Sequence, residues 1–254
     1  MTEIANLHSS EERTQRFYAR VAGFVLLFLL INGLVNIFIL SHIAGSETFA
    51  ETASKIATSE RLYRVALSGL VIENLSGGLL AFALYVTLKP VNNLVALLAM
   101  ICNLVDSSLG LVVRMFAFVR LHLYTSSQSV VASGTIAAQS LLDLTRIMSA
   151  VMENIGGILF GLGTLLFFYL FFKSNYIPRI LSALGVFASA IWISLYFASL
   201  IFPERRPIFQ YICFPLMAIA EVSTGFYLML FAINHRGEGD QSNQPAISHS
   251  EGPD

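Results

Sequence analysis

The chain has 254 residues, of which 56% are apolar and only 12% charged, against about 25% charged in soluble domains. With 20 Phe and a mean hydropathy of +0.70, its long apolar runs have to face lipid rather than fill a core, which excludes an ordinary soluble enzyme. A net charge of -1, from 15 Lys and Arg against 16 Asp and Glu, leaves no polybasic surface and excludes nucleic-acid binding.

A membrane-crossing helix needs about 20 mostly apolar residues. Six such runs occur, near Phe17 to Leu40, Leu62 to Leu88, Val91 to Val119, Ile147 to Phe172, Ile180 to Phe202 and Ile208 to Ile233. They predict an all-α, polytopic bundle of six transmembrane helices over residues 17–234, behind a polar N-terminal tail over 1–16. The partner this implies is the lipid bilayer, and an even count puts both termini on one side. The first run is longer than a signal-peptide core of 7 to 15 residues and no A-x-A-like site follows it, so it is expected to stay as a span.

Lys89-Pro90, Lys173 to Arg179 and Pro203 to Pro207 read as tight connections, and Ser41 to Arg61 and Arg120 to Asp143 as long loops. Pro90 ends the second span and opens the third, while Lys89 anchors at the headgroups. In the first long loop, Phe49, Ala53, Ile56 and Ala57 share a helical face among Glu47, Glu51 and Lys55. That pattern fits either a short amphipathic helix lying on the bilayer or a solvated loop with some helicity. Residues 235–254 are Gly, Ser, Asn, Pro and acid, a composition that predicts disorder.

Counting Lys and Arg does not orient the bundle: seven lie on the terminal side and eight on the other. The first helix usually dominates, and Arg13, Arg16 and Arg20 precede it with no Lys or Arg following until Lys55, so cytoplasmic termini in a cell membrane are expected.

The even-numbered spans share a pattern. Glu73-Asn74-Leu75-Ser76-Gly77, Glu153-Asn154-Ile155-Gly156-Gly157 and Glu221-Val222-Ser223-Thr224-Gly225 each read Glu, two residues, a small residue, Gly. Glutamates 80 and then 68 residues apart suggest a two-helix hairpin present three times, with a period longer than common solenoid repeats. Residues i and i+4 share a face, so each Glu has a Gly one turn away where a backbone or ligand can come close. The odd spans add Asn32 with Asn36 and Asn103 with Asp106, again on one face each; the fifth offers only Ser182, Ser189 and Ser194.

At a rise of 1.5 Å per residue, Glu73, Asp106 and Glu221 lie roughly 24, 22 and 21 Å from the terminal-side ends of their helices, and Glu153 roughly 30 Å. Inward-pointing faces would then gather Glu73, Asp106 and Glu221 beneath Glu153. The far ends carry Arg61, Arg64, Arg146, Arg205 and Arg206, with Arg114 nearby, so a basic rim above an acidic floor is expected. Carboxylates buried together cannot all ionise without partners, so some are expected to be protonated or to share a cation or Arg114. The candidate site is therefore Glu73, Asp106, Glu153 and Glu221 with Asn32, Asn36, Asn74, Asn103, Asn154 and Arg114. It reads either as a site for a proton, cation or small polar solute or as neutral hydrogen-bonded groups that hold helices together. Arg114 and Arg120 read first as groups that snorkel to the interface.

No other chemistry has residues to rest on, and no cofactor is named. The five histidines lie in tails, loops or span ends, which disfavours paired haem ligands. Cys102 and Cys213 stand alone within spans and read as apolar packing. G-x-S-x-G, H-E-x-x-H and Walker motifs are missing from the sequence. Gly157 and Gly161 form a GxxxG pair, a packing face inside the bundle or a dimer contact.

Four stretches carry a resemblance: Arg20-Val21-Ala22-Gly23; Ser59-Glu60-Arg61-Leu62-Tyr63-Arg64; Leu84-Tyr85 followed by Leu88-Lys89-Pro90-Val91-Asn92; and Tyr176-Ile177-Pro178-Arg179-Ile180-Leu181. In this order they resemble the bacterial membrane family known as domain of unknown function 4386, from about Arg20 to Asn234. The resemblance implies an integral membrane protein and brings no catalytic residues with it. Three functional readings follow: a small transporter or channel-like protein using the acidic cluster, a non-catalytic scaffold or sensor, and a lipid-acting enzyme with Glu153 or Asp106 as base beneath the arginine rim.

Overall fold

The computed structural model describes residues 2–44, 49–126 and 136–233, so the composition-based expectation for 235–254 lies outside the described residues. Among the described residues seven α-helices follow one another: α1 (Thr2–Ala44), α2 (Phe49–Thr58), α3 (Glu60–Leu88), α4 (Asn93–Ser126), α5 (Ile136–Ser174), α6 (Arg179–Ile201) and, after a 3-10 turn at Pro203–Arg205, α7 (Arg206–Phe231). All but α2 are long and apolar enough to cross a membrane. The described residues contain no strand, and the fold is an all-α bundle of six transmembrane helices.

The connections show why the chain turns where it does. Asn92 Oδ1 accepts the Val95 backbone N–H at 3.2 Å, so the cap that opens α4 is Asn92 and not the proline before it. Asn175 ends α5 at φ 55°, a left-handed position that Asn tolerates. Its side chain accepts from Arg179 Nε at 2.7 Å.

Several helices outrun the hydrocarbon. At 1.5 Å per residue, the 43 residues of α1 extend about 65 Å and the 39 of α5 about 58 Å, against about 30 Å of bilayer core. The polar tail over 1–16 is accordingly the start of α1 from Thr2 onward. The expected loop from Arg120 to Asp143 is largely helix: α4 continues to Ser126 and α5 has begun by Ile136. Packing keeps these projecting turns helical, because Leu121, Tyr124 and Leu142 are buried against one another.

The long helices form a closed ring in chain order. Each packs on the next and α7 returns to α1, and among the described residues the backbones of α3 and α5 also approach slightly. At the closure a Cβ added to Gly23 would lie 2.6 Å from the Met229 backbone nitrogen and 2.7 Å from the Gly225 carbonyl oxygen, so α1 and α7 touch backbone to backbone. The three motif glycines have equivalent places. Gly77 faces Ser107 on α4, Gly157 faces Tyr196 on α6, and Gly225 faces Leu26 on α1, in each case the first helix of the next hairpin around the ring.

Two apolar cores divide the bundle by depth. The larger has Ala22, Leu88, Ala99, Phe171, Ile177, Trp192, Met217 and Leu228 among its members and runs from the terminal-side end as far as Tyr196 and Cys213. Gln15 crosses that end and donates to the Thr87 carbonyl at 2.6 Å. The smaller core lies at the opposite end, where Ile56 of α2 packs with Ile43, Leu67, Leu70, Leu121 and Leu142. The amphipathic helix therefore exists, but Ile56 is turned into the bundle and is 1% exposed. Turning inward buries that side chain among apolar neighbours already fixed by four helices.

Candidate functional site

The structure sets the ten residues singled out by sequence at several helix contacts. Glu73 lies at the α1–α3 contact, where Asn32 Nδ2 donates to the Gly69 carbonyl at 3.0 Å and reaches Glu73 Oε2 at 3.5 Å. Asn36, also on α1, packs its amide on Gly69. Asn74 rests on Gly110 across the α3–α4 contact, while Asp106 and Asn103 of α4 rest on Gly156 and Gly163 of α5. Arg114 is the charged neighbour common to Glu73 and Asp106.

Glu221 is elsewhere. It sits on α7, which packs on α1 and α6 but on neither α3 nor α4. Among the described residues no charged side chain bears on it, and no three His, Cys, Asp or Glu side chains gather as a metal site would require. Equal depth placed the acids at one level, but a ring distributes a level around its circumference. Asn154 is buried with its Oδ1 unpaired among the described residues.

Glu153 is the exception, because it lines a cavity. At the end of the bundle opposite the termini, a space of about 360 Å³ is bounded by Thr52, Ile56, Tyr63, Arg120, Tyr124, Arg146, Ser149, Ala150, Glu153 and Arg206. Its size falls within the range of small-molecule pockets. Its lining comes from α2, α3, α4, α5 and the start of α7. Ile56 and Tyr124 of its lining belong to the smaller apolar core.

The polar groups of the cup are fixed by one another. Arg120 Nη1 donates to Ser149 Oγ at 2.9 Å and to the Thr145 carbonyl at 3.2 Å, while Ser149 donates to that same carbonyl at 2.8 Å. Arg120 therefore crosses to α5 instead of snorkelling. Arg146 Nη2 donates to the Tyr124 hydroxyl at 2.9 Å, and its Nη1 lies 3.6 Å from Asp143. Arg206 Nη2 donates to Glu153 Oε2 at 2.6 Å, joining the start of α7 to α5.

The expected basic rim is thus real in part. Arg146 and Arg206 reach the cup, Arg64 pairs with Glu60 at 2.7 Å, and Arg61 and Arg205 are exposed. Arg120, Tyr63, Tyr124 and Ser149 were missed as site residues, although a signal was present. Arg120 and Tyr124 are four apart, and Arg146, Ser149 and Glu153 are three and four apart, so each set shares a helix face.

Six membrane-spanning helices around a one-sided polar cup define a polytopic integral membrane protein with a small-molecule-sized cavity at one face. The sequence model of the family described as a domain of unknown function (DUF4386) matches residues 21–232, and the chain belongs to that family. Neither the curated proteins nor the solved structures include a match to this chain.

Proposed function

We propose that the protein binds a small polar solute in the cup and is a carrier-type membrane protein that loads from the side opposite its termini. The observation that carries this reading is the cup itself, a cavity lined by three arginines and a glutamate at one end of a bundle of apolar helices. A cavity at one end of the bundle is where an alternating-access carrier would load its solute. The arginines preceding α1 favour cytoplasmic termini in a cell membrane, which makes the cup face outward.

In this reading the intramembrane Asn, Glu and Asp residues away from the cup hold helices together. Asn36, Asn74, Asn103 and Asp106 each rest on a glycine of the adjoining helix, and Glu73 lies beside Gly33. Small residues that let polar groups and backbones approach are the usual means of packing helices in lipid. The proton or cation reading of Glu73, Asp106 and Glu221 is the second reading, and it draws on Arg114 being shared by two acids.

The test is a thermal-stability screen of the purified protein against anions, cations, zwitterions and neutral polar solutes, repeated on Ala150→Trp, which fills the cup. A solute at 100 times its dissociation constant adds about 2.7 kcal/mol to the folded state. Stabilisation that is lost in Ala150→Trp, followed by uptake of that solute into proteoliposomes, is the expected result. No stabilising solute of any class would overturn the proposal.

A further inference from the structure

The charges of the cup go further and indicate which solute class it takes; the inference rests on the binding reading above. Three of the ten lining side chains are guanidinium groups and one is a carboxylate. Arg120 commits Nη1 to α5, and its Nε and Nη2 make no hydrogen bond among the described residues. Arg206 Nε is buried and likewise without a partner among them. A guanidinium carries five N–H donors in a planar fork that matches the oxygens of a phosphate or carboxylate. Three such forks around one cavity repel each other and leave donors unanswered, and an oxyanion is the ligand that answers both.

We propose that the cup is an oxyanion site that takes a phosphate- or carboxylate-bearing group on Arg120, Arg146 and Arg206, with Glu153 as the resident anion that the ligand displaces from Arg206. The orientation of Arg120 is set in advance by Ser149 and the Thr145 carbonyl, and that of Arg146 by Tyr124 and Asp143. Arg206 is the movable member, since its single ion pair is to a carboxylate 38% exposed at the cavity wall. Exchange of Glu153 for the ligand loosens the tie between α5 and the start of α7, which couples occupancy to the position of α7. The oxyanion has two sources, a free solute or the headgroup of an anionic lipid whose chains lie along the projecting helices.

The experiment uses the full chain in nanodiscs of phosphatidylcholine alone and of phosphatidylcholine with phosphatidylglycerol. Melting is followed with inorganic phosphate, acetate, and choline chloride at matched ionic strength. For a free solute, phosphate or acetate raises the melting temperature in both discs and choline chloride does not. For a headgroup, phosphatidylglycerol raises it and added phosphate then contributes nothing more. In either case Arg120→Gln and Arg146→Gln weaken the effect at least tenfold, Arg120→Lys does not restore it, and Glu153→Gln strengthens it several-fold by removing the competing carboxylate. That gain is an outcome a purely structural ion pair does not give. Equal loss in Arg61→Gln and Arg205→Gln, which lie outside the cup, overturns the inference in favour of surface charge. Stabilisation by cations or neutral solutes alone overturns it while leaving the binding reading intact, and no stabilisation by any class overturns both.

Discussion

The α1–α7 contact closes the ring, and Gly23→Ala tests whether it does so through backbone contact. The added Cβ would stand 2.6 Å from the Met229 nitrogen and 2.7 Å from the Gly225 carbonyl oxygen, whereas ordinary contact begins at 3.4 Å. Both obstacles are backbone atoms and cannot rotate away, so the helices must part by about 0.8 Å in an interior that packs like a crystal. A radial gap of about 0.5 to 1 Å forfeits a quarter to a half of each dispersion contact it separates. Overpacking of this kind costs about 1 to 3 kcal/mol. Gly78→Ala is the matched control: its Cβ would meet only the Cδ2 end of Leu104 at 3.4 Å, and Ala exceeds Gly in helix propensity by about 1 kcal/mol in soluble helices. Unfolding in mixed micelles, followed by the emission of Trp192, the single tryptophan, should show Gly23→Ala melting below wild type and Gly78→Ala at or above it. Equal stability of Gly23→Ala and wild type would refute a backbone-to-backbone closure.

Trp192 Nε1 donates to the Gly157 carbonyl at 2.9 Å, and its ring stacks on Tyr196 at 5.0 Å, so Trp192→Phe should cost about 1 to 3 kcal/mol in a denaturant titration; no loss would show that the bond is not formed. Asn36 is buried with Nδ2 unpaired among the described residues, so the near-isosteric Asn36→Leu should match or exceed wild type in melting temperature. A large drop would instead reveal a partner for that amide. Glu73→Gln and Asp106→Asn keep the shapes that rest beside Gly33 and Gly156, and in the packing reading each should change stability by under about 1 kcal/mol and leave solute binding in the cup unaltered. Loss of binding in either variant, read by the same melting screen, would return these acids to the ligand site.

The spans were legible because lipid imposes a simple rule on composition, about 20 apolar residues per crossing, and α3, α6 and α7 begin and end within a few residues of the apolar runs. Helix ends beyond the hydrocarbon were not legible from that rule. Thr2 to Arg16 and Arg120 to Ser126 are polar enough to read as tail and loop, yet they are helical. Hydropathy reports where lipid ends; a helix stops only where its backbone bonds find other partners. The amphipathic face of α2 was visible in the positions of Ile56 and its neighbours, but not the surface it would meet. Burying Ile56 needed Leu67, Leu121 and Leu142 from three helices to be close together.

The site was the least legible part, and the reason lies in topology. Intramembrane acids draw attention because a charge in lipid is costly, and the apolar runs lead to the expectation that Glu73, Asp106 and Glu221 share a depth. Six long helices packed mainly in chain order set those residues at different helix contacts. Glycine made that dispersal tolerable. Each of Asn36, Asn74, Asn103 and Asp106 lies against a position where the neighbouring helix has no side chain, so a polar group is held inside the bundle without opening a cavity beside it. Convergence occurs instead where helices project past the lipid and water can reach. There Arg120, Arg146 and Arg206 can remain charged at lower cost, and their spacing on α4 and α5 turns them toward one space. A charge deep in the span marks a tight contact in this fold, and a charge one turn beyond the apolar run marks the cup.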